Sequence, residues 1–195
     1  MAADPRDVFH SSLIGQTTGS SDFDLNPEVV LPPDRLLRPA AVLVAYQMVS
    51  QVPHLVLTKR ASALKHHPGQ IAFPGGKRDD ADQDITQTAQ REAWEEIGLA
   101  PDAVEILGHL PPHETVSGFA VTPVLGWVKS TFVPIAAQGE VAEVFRVPLG
   151  HVTNLDNYLV QSRRWRGRRR HYYTVPYGPY YIWGATACIL RRIIG

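Results

Sequence analysis

The segment Ala89-Gln90-Arg91-Glu92-Ala93-Trp94-Glu95-Glu96-Ile97-Gly98-Leu99 constrains this chain more than any other. A helix turns by about 100° per residue, so positions three and four apart share a face. Glu92, Glu95 and Glu96 then fall in one sector, while Ala89, Ala93 and Ile97 form an adjoining apolar sector that can sit on a core. Gly98 suits the left-handed turn that ends a helix. Three neighbouring carboxylates repel one another unless a cation lies among them. Oxygen ligands of this kind suit Mg2+ or Mn2+. The fold must therefore give one side of this helix a core and leave the other open to charge.

The residues upstream sharpen the expectation. Phe73-Pro74-Gly75-Gly76 predicts a tight turn, and Asp82 follows six residues after Gly76. Asp82 or Asp84 can cap the incoming helix through a side-chain oxygen. The plain alternative is a solvated helix with an Arg91–Glu95 pair at i, i+4. A glycine turn at this distance favours a built site instead.

Gly76, Arg91-Glu92, Glu95-Glu96 and Gly98 resemble the signature box of the Nudix hydrolases. In that box Gly is followed after five residues by Glu and, after seven more, by Arg-Glu, an aliphatic residue, any residue, Glu-Glu, any residue and Gly. This sequence departs twice. Asp82 stands where Glu is usual, and eight residues separate it from Arg91, lengthening the loop or the first helical turn. One branch, the coenzyme A pyrophosphatases, carries a similar lead-in, here Leu64-Lys65-His66-His67-Pro68-Gly69-Gln70-Ile71-Ala72-Phe73-Pro74-Gly75-Gly76. The resemblance runs from about Pro39 onwards. It implies a Nudix fold of α/β (α+β) type, a mixed β-sheet sandwiched between helices. It also implies residues 1–38 as a partly ordered extension and 39–195 as the Nudix domain.

Composition sets the outer bounds. The chain has 195 residues, 44% hydrophobic and 19% charged, which suits one folded domain with an extension. Cys188 is the only cysteine, which excludes an internal disulfide and a thiolate zinc cluster and fits a reduced, cytoplasmic compartment. No run is long and apolar enough for a membrane span, and no signal peptide is expected. Lys+Arg and Asp+Glu both number 19, and that neutrality argues against a dedicated nucleic-acid protein. A homodimer is compatible with the sequence.

Strands are expected over Pro39–Tyr46, His54–Arg60, Val104–Leu110 and Val144–Leu149, with a pair or one bent strand over Val116–Val128. A short helix is expected around Asp7–Ile14 and a terminal one over Ile182–Ile194. Leu155–Gln161 and His171–Val175 are expected to flank a basic turn. That turn, Arg163 to Arg170 with Trp165, Tyr172 and Tyr173 nearby, reads as a solvated hairpin tip. Basic residues among aromatics could also clasp a 3′-phosphate or single-stranded RNA. Gly184 is read as permitting close packing of the last helix.

For chemistry, Glu92 and Glu96, one turn apart, are the expected metal ligands, with Glu95 contributing or pairing with Arg91. The family's helix glutamates at the Glu92 and Glu96 positions agree. A backbone carbonyl of Gly75 or Gly76 is a further oxygen near the helix. Nudix enzymes often take another acid from a distant loop, and Glu140 and Glu143 are the candidates for a general base or second-ion ligand, with Glu114 a third. Arg60 and Lys65 can meet phosphates, and His67 and Gln70 can hydrogen-bond a nucleotide or a pantetheine amide. The branch often shows Ser after the arginine, whereas Ala61 stands here. The resemblance implies metal-dependent cleavage of coenzyme A or acyl-coenzyme A to 3′,5′-ADP and (acyl-)4′-phosphopantetheine. The alternatives are another nucleoside diphosphate derivative, such as ADP-ribose or NADH, or a module that binds nucleotide or RNA without catalysis.

Overall fold

The apolar run after Pro39 becomes the middle of a sheet. A computed structural model describes residues 6, 13–14, 16–165 and 167–194, without the Trp165 side chain. The helix expected over Asp7–Ile14 lies outside the described residues, save Leu13 and Ile14. In chain order the strands are β1 (Ser20–Ser21), β2 (Arg38–Val49), β3 (Val52–Arg60), β4 (Ile71–Ala72), β5 (Gly75–Lys77), β6 (Val104–His109), β7 (His113–Glu114), β8 (Phe119–Val128), β9 (Val141–Pro148), β10 (Leu159–Trp165) and β11 (Arg168–Thr174). The helices are α1 (Ile85–Ile97), α2 (Leu149–Val152) and α3 (Ala185–Ile193).

β2 organises the sheet. It pairs antiparallel with β3 and β5 and parallel with β8. β3 pairs antiparallel with β4 and β9. β6 and β7 extend the other side on β8, and β1 pairs parallel with β7. The β2–β3 hairpin turns through Ser50 and Gln51, at φ 48° and 65°, the two left-handed residues that a two-residue hairpin needs. Where a pair or one bent strand is expected over Val116–Val128, the structure has the single strand β8, joined to β7 by a turn that Thr115 and Gly118 close.

Two cores flank the sheet. On one face Ala89, Ala93 and Ile97 of α1 pack on Ala41, Leu43, Ala45 and Val56. These are alternate residues of β2 with one from β3, as the two-residue strand period requires. On the other face Val44, Tyr46, Leu55 and Leu57 meet Ile182, Ala187, Leu190 and Ile193 around α3. The result is a mixed sheet between helices.

Two elements differ from expectation. Most of the basic run is strand rather than turn, because Arg163–Arg170 and Arg164–Arg169 are cross-strand pairs of the β10–β11 hairpin. The terminal helix starts at Ala185, not Ile182. Thr174 and Trp183 form a bridge that keeps the preceding residues extended. Gly184 then turns the chain at φ 62°, ψ −136°. A Cβ there would meet nothing within 4 Å, so its backbone freedom, not close packing, is what the position uses.

Residues from the extension also join the sheet. Buried Asn26 donates to the carbonyls of Asp22 and His171 and accepts from the His171 N–H at 2.7 Å. Asp22 faces His113 at 3.3 Å and Arg170 at 3.5 Å.

Candidate active site

The site begins with the start of α1. Asp84 caps it by accepting from the Gln87 N–H at 2.8 Å, while the Gln87 side chain accepts from the Gln83 N–H at 2.6 Å. The two side chains thus satisfy one backbone donor inside the helix and one just before the cap. At the other end Gly98 takes φ 69° and donates back to Ala93 and Trp94 carbonyls.

Asp82 does not cap. It is buried and accepts from the Asp79 N–H and Thr88 Oγ1, both at 2.9 Å. Arg91 meets it with two parallel bonds, Nε to Oδ1 and Nη2 to Oδ2, both at 3.0 Å. The extra residue before Arg91 is therefore absorbed without losing the pairing. That guanidinium, together with the Asp79 N–H and Thr88, holds the Asp82 carboxyl well below the usual carboxylate range despite its burial. Arg91 also donates to the Lys77 carbonyl at 3.0 Å and, through Nη1, to Glu92 Oε1 and Glu95 Oε2 at 3.1 Å each. One side chain thus ties β5 to two of the helix acids.

The glycine turn lies directly on the other two contacts. The Gly75 N–H donates to Glu96 Oε2 at 3.1 Å. A Cβ on Gly76 would fall 2.4 Å from Glu92 Oε1, and one on Gly75 would fall 2.3 Å from the Ala41 carbonyl. Only bare backbone fits between β2 and the two carboxylates.

Glu96 is 6% exposed. Burial pushes its carboxyl up to about 7, with help from the charges of Glu92 and Glu140 and against the Gly75 N–H and Arg60. Burial likewise raises Glu92, partly offset by Arg91. A bound cation would relieve both costs, and the donors are hard oxygens, so these residues fit Mg2+ or Mn2+. Among the described residues, no three His, Cys, Asp or Glu side chains form a ready-made metal cage.

Arg60, at the end of β3, is the cation whose field reaches Glu96. Its buried Nε has no hydrogen-bond partner among the described residues. Glu140 approaches from the loop before β9. That loop is pinned to the end of α1 by Ile135 N–H to the Ile97 carbonyl at 3.0 Å and Ala137 N–H to the Glu96 carbonyl at 2.9 Å. The Glu140 carbonyl in turn accepts from the Ala61 N–H at 2.8 Å.

Glu143 goes elsewhere. Its strand neighbour two residues on, Phe145, belongs to the α3-side core, whereas Val144 packs on the α1 side. Glu143 therefore faces away from the helix acids, and Tyr180 Oη donates to it. Glu114 is engaged by Arg35 through both carboxylate oxygens. Glu95 is more than half exposed and rests on Arg91.

His67 and Gln70 line an open cleft of about 460 Å³ together with Lys59, Arg163, Tyr180 and Trp183. Its loop is fastened to the site, since the Arg60 N–H donates to the Gln70 carbonyl at 3.0 Å and the Gly69 N–H to the Arg60 carbonyl at 3.2 Å. The roles of Lys59, Tyr180 and Trp183 in this cleft were not readable from spacing, because the chain reaches it from three distant segments.

A capped helix carrying Glu92, Glu95 and Glu96, beside a glycine turn and a mixed sheet, defines a class. The NUDIX domain model matches residues 36–173, and the chain belongs to the Nudix family of hydrolases, which act on nucleoside diphosphate derivatives with divalent cations. It is 43% identical over 156 residues to a protein of Enterobacter sp. (strain 638) described as "Uncharacterized Nudix hydrolase NudL", covering 80% of this chain and 81% of that one. It is 39% identical over 179 residues to the protein of the same description from Pectobacterium atrosepticum, covering 89% and 92%. Among solved structures, a MutT/nudix family protein from Enterococcus faecalis superposes with a TM-score of 0.55 at 16% identity, over 87% of this chain and 65% of that one. The Nudix hydrolase RenU from M. smegmatis gives 0.51 at 22% identity, over 59% and 73%. These two share the fold.

Proposed function

We propose that this chain cleaves the diphosphate of coenzyme A or its thioesters, giving 3′,5′-ADP and (acyl-)4′-phosphopantetheine. The observation that carries the reading is the placement of the Leu64–Gln70 lead-in. The residues that resemble the coenzyme A pyrophosphatase branch are tied to Arg60 beside the acidic helix and line a cleft large enough for part of a nucleotide.

Glu92 and Glu96, with a carbonyl of Gly75 or Gly76, would hold the Mg2+ or Mn2+. Bound there, the ion would supply charge neutralisation to the phosphoryl group and lower the pKa of water. Arg91 fixes Glu92 and Glu95, so the acids are preorganised. Arg60, with its unpartnered Nε, binds a phosphoryl oxygen. Glu140 takes the proton of the attacking water as its oxygen bonds to one phosphorus. The bond from that phosphorus to the bridging oxygen breaks, and the second phosphate leaves. Glu143, on the other face and engaged by Tyr180, takes no part in this step.

Product analysis from coenzyme A with and without a divalent cation tests the reading. The expected result is metal-dependent release of 3′,5′-ADP. ADP-ribose or NADH hydrolysed far faster than coenzyme A would overturn the substrate, and nucleotide binding without hydrolysis in Mg2+ would overturn the reaction.

A further inference from the structure

The cleft holds a feature that the hydrolytic residues do not use. Arg163 of β10 lies over the Trp183 ring, its guanidinium carbon 4.4 Å from the ring centroid. The indole is held in place. Tyr172 packs edge-on to it at 5.2 Å, its backbone bridges to Thr174, and Tyr181 beside it donates to Gln161 at 2.7 Å. A guanidinium stacked through its face keeps its N–H groups in plane and available at the edge, the geometry that suits a phosphate. Lys59 lines the same cleft. Among the described residues neither Lys59 nor Arg163 is in an ion pair, and Glu143, paired in register with Lys59, is occupied by Tyr180. Two uncompensated cations in one concave site favour an anion.

We propose that Arg163, propped on Trp183, and Lys59 form a subsite for a phosphate monoester on the nucleoside end of the substrate. The proposal rests on the coenzyme A reading, where that group is the 3′-phosphate. It assigns the basic hairpin to small-molecule selection rather than to RNA.

Two measurements test it. Hydrolysis of coenzyme A is compared with that of dephospho-coenzyme A in the wild type, Arg163→Gln and Lys59→Gln. The ratio of the two kcat/KM values should fall about tenfold or more in each variant. An unchanged ratio overturns the subsite. If the wild type hydrolyses neither compound, the reaction reading fails, and binding still decides the subsite. Calorimetry in EDTA should show 3′,5′-ADP binding about tenfold more tightly than 5′-AMP, with the difference lost in Arg163→Gln. Equal binding of the two nucleotides overturns the proposal, as does inorganic phosphate matching 3′,5′-ADP. Tighter binding of a single-stranded RNA oligonucleotide also overturns it.

Discussion

Glu96 is a carboxylate buried near other acids and held by one backbone N–H. Replacing it with Gln removes the charge and keeps the shape. The expected outcome for Glu96→Gln is a loss of turnover of about 100-fold or more. Its melting temperature without metal should be equal to or above that of wild type, because an unfavourable buried charge has gone. The same residue sets a pH dependence. Its folded value of about 7 lies above the ordinary 4.5, so between these values the folded chain binds a proton that the unfolded chain has released. Stability of the metal-free protein should therefore fall as pH rises through that window, by a few kcal/mol at most. Thermal melts from pH 4.5 to 8 check this. Glu96→Gln should flatten the slope, and saturating Mg2+ should do the same.

At the scale of elements, the turn and the helix are one unit. Gly76→Ala places a methyl group where the Glu92 carboxylate lies, at 2.4 Å. The expected result is a loss of about tenfold or more in kcat with metal affinity reduced, read by activity against Mg2+ concentration. This unit was the most legible part of the sequence, since cap, periodicity and Gly98 all act within a few residues of one another. The choice between Asp82 and Asp84 was not, because it depends on where Arg91 reaches across the loop. The β10–β11 strands were hidden for a related reason. Arg163, Arg164, Arg168 and Arg169 have a charge pattern that reads as solvent-exposed tip, and only the pairing and the Trp183 contact reveal strands. Glu140 and Glu143 looked equivalent from spacing, and the strand alternation separated them. The parallel pairing of β2 with β8 joins residues about eighty positions apart and leaves no local mark.

Across the whole molecule, residues before β2 fasten the far sheet edge to the basic hairpin. Asn26 is 1% exposed and joins Asp22 to both polar groups of the His171 backbone. Asn26→Ala leaves those groups unpaired and should cost about 2 kcal/mol. For a chain of this size, that corresponds to a melting temperature lower by roughly 4–8 °C. Calorimetry checks it, and kcat at saturating substrate and low temperature should stay near wild type, since the Asn26 side chain bonds Asp22 and His171 and none of the helix acids.

Lys59 and Arg60 are sequence neighbours at the end of β3, one lining the cleft and the other acting on Glu96 across the sheet. A ligand touching both must wrap around that strand end. On the proposed reading, its reactive diphosphate and its outlying phosphate would be measured against a fixed span, making the protein a yardstick that rejects molecules whose two charged ends are spaced too close or too far apart.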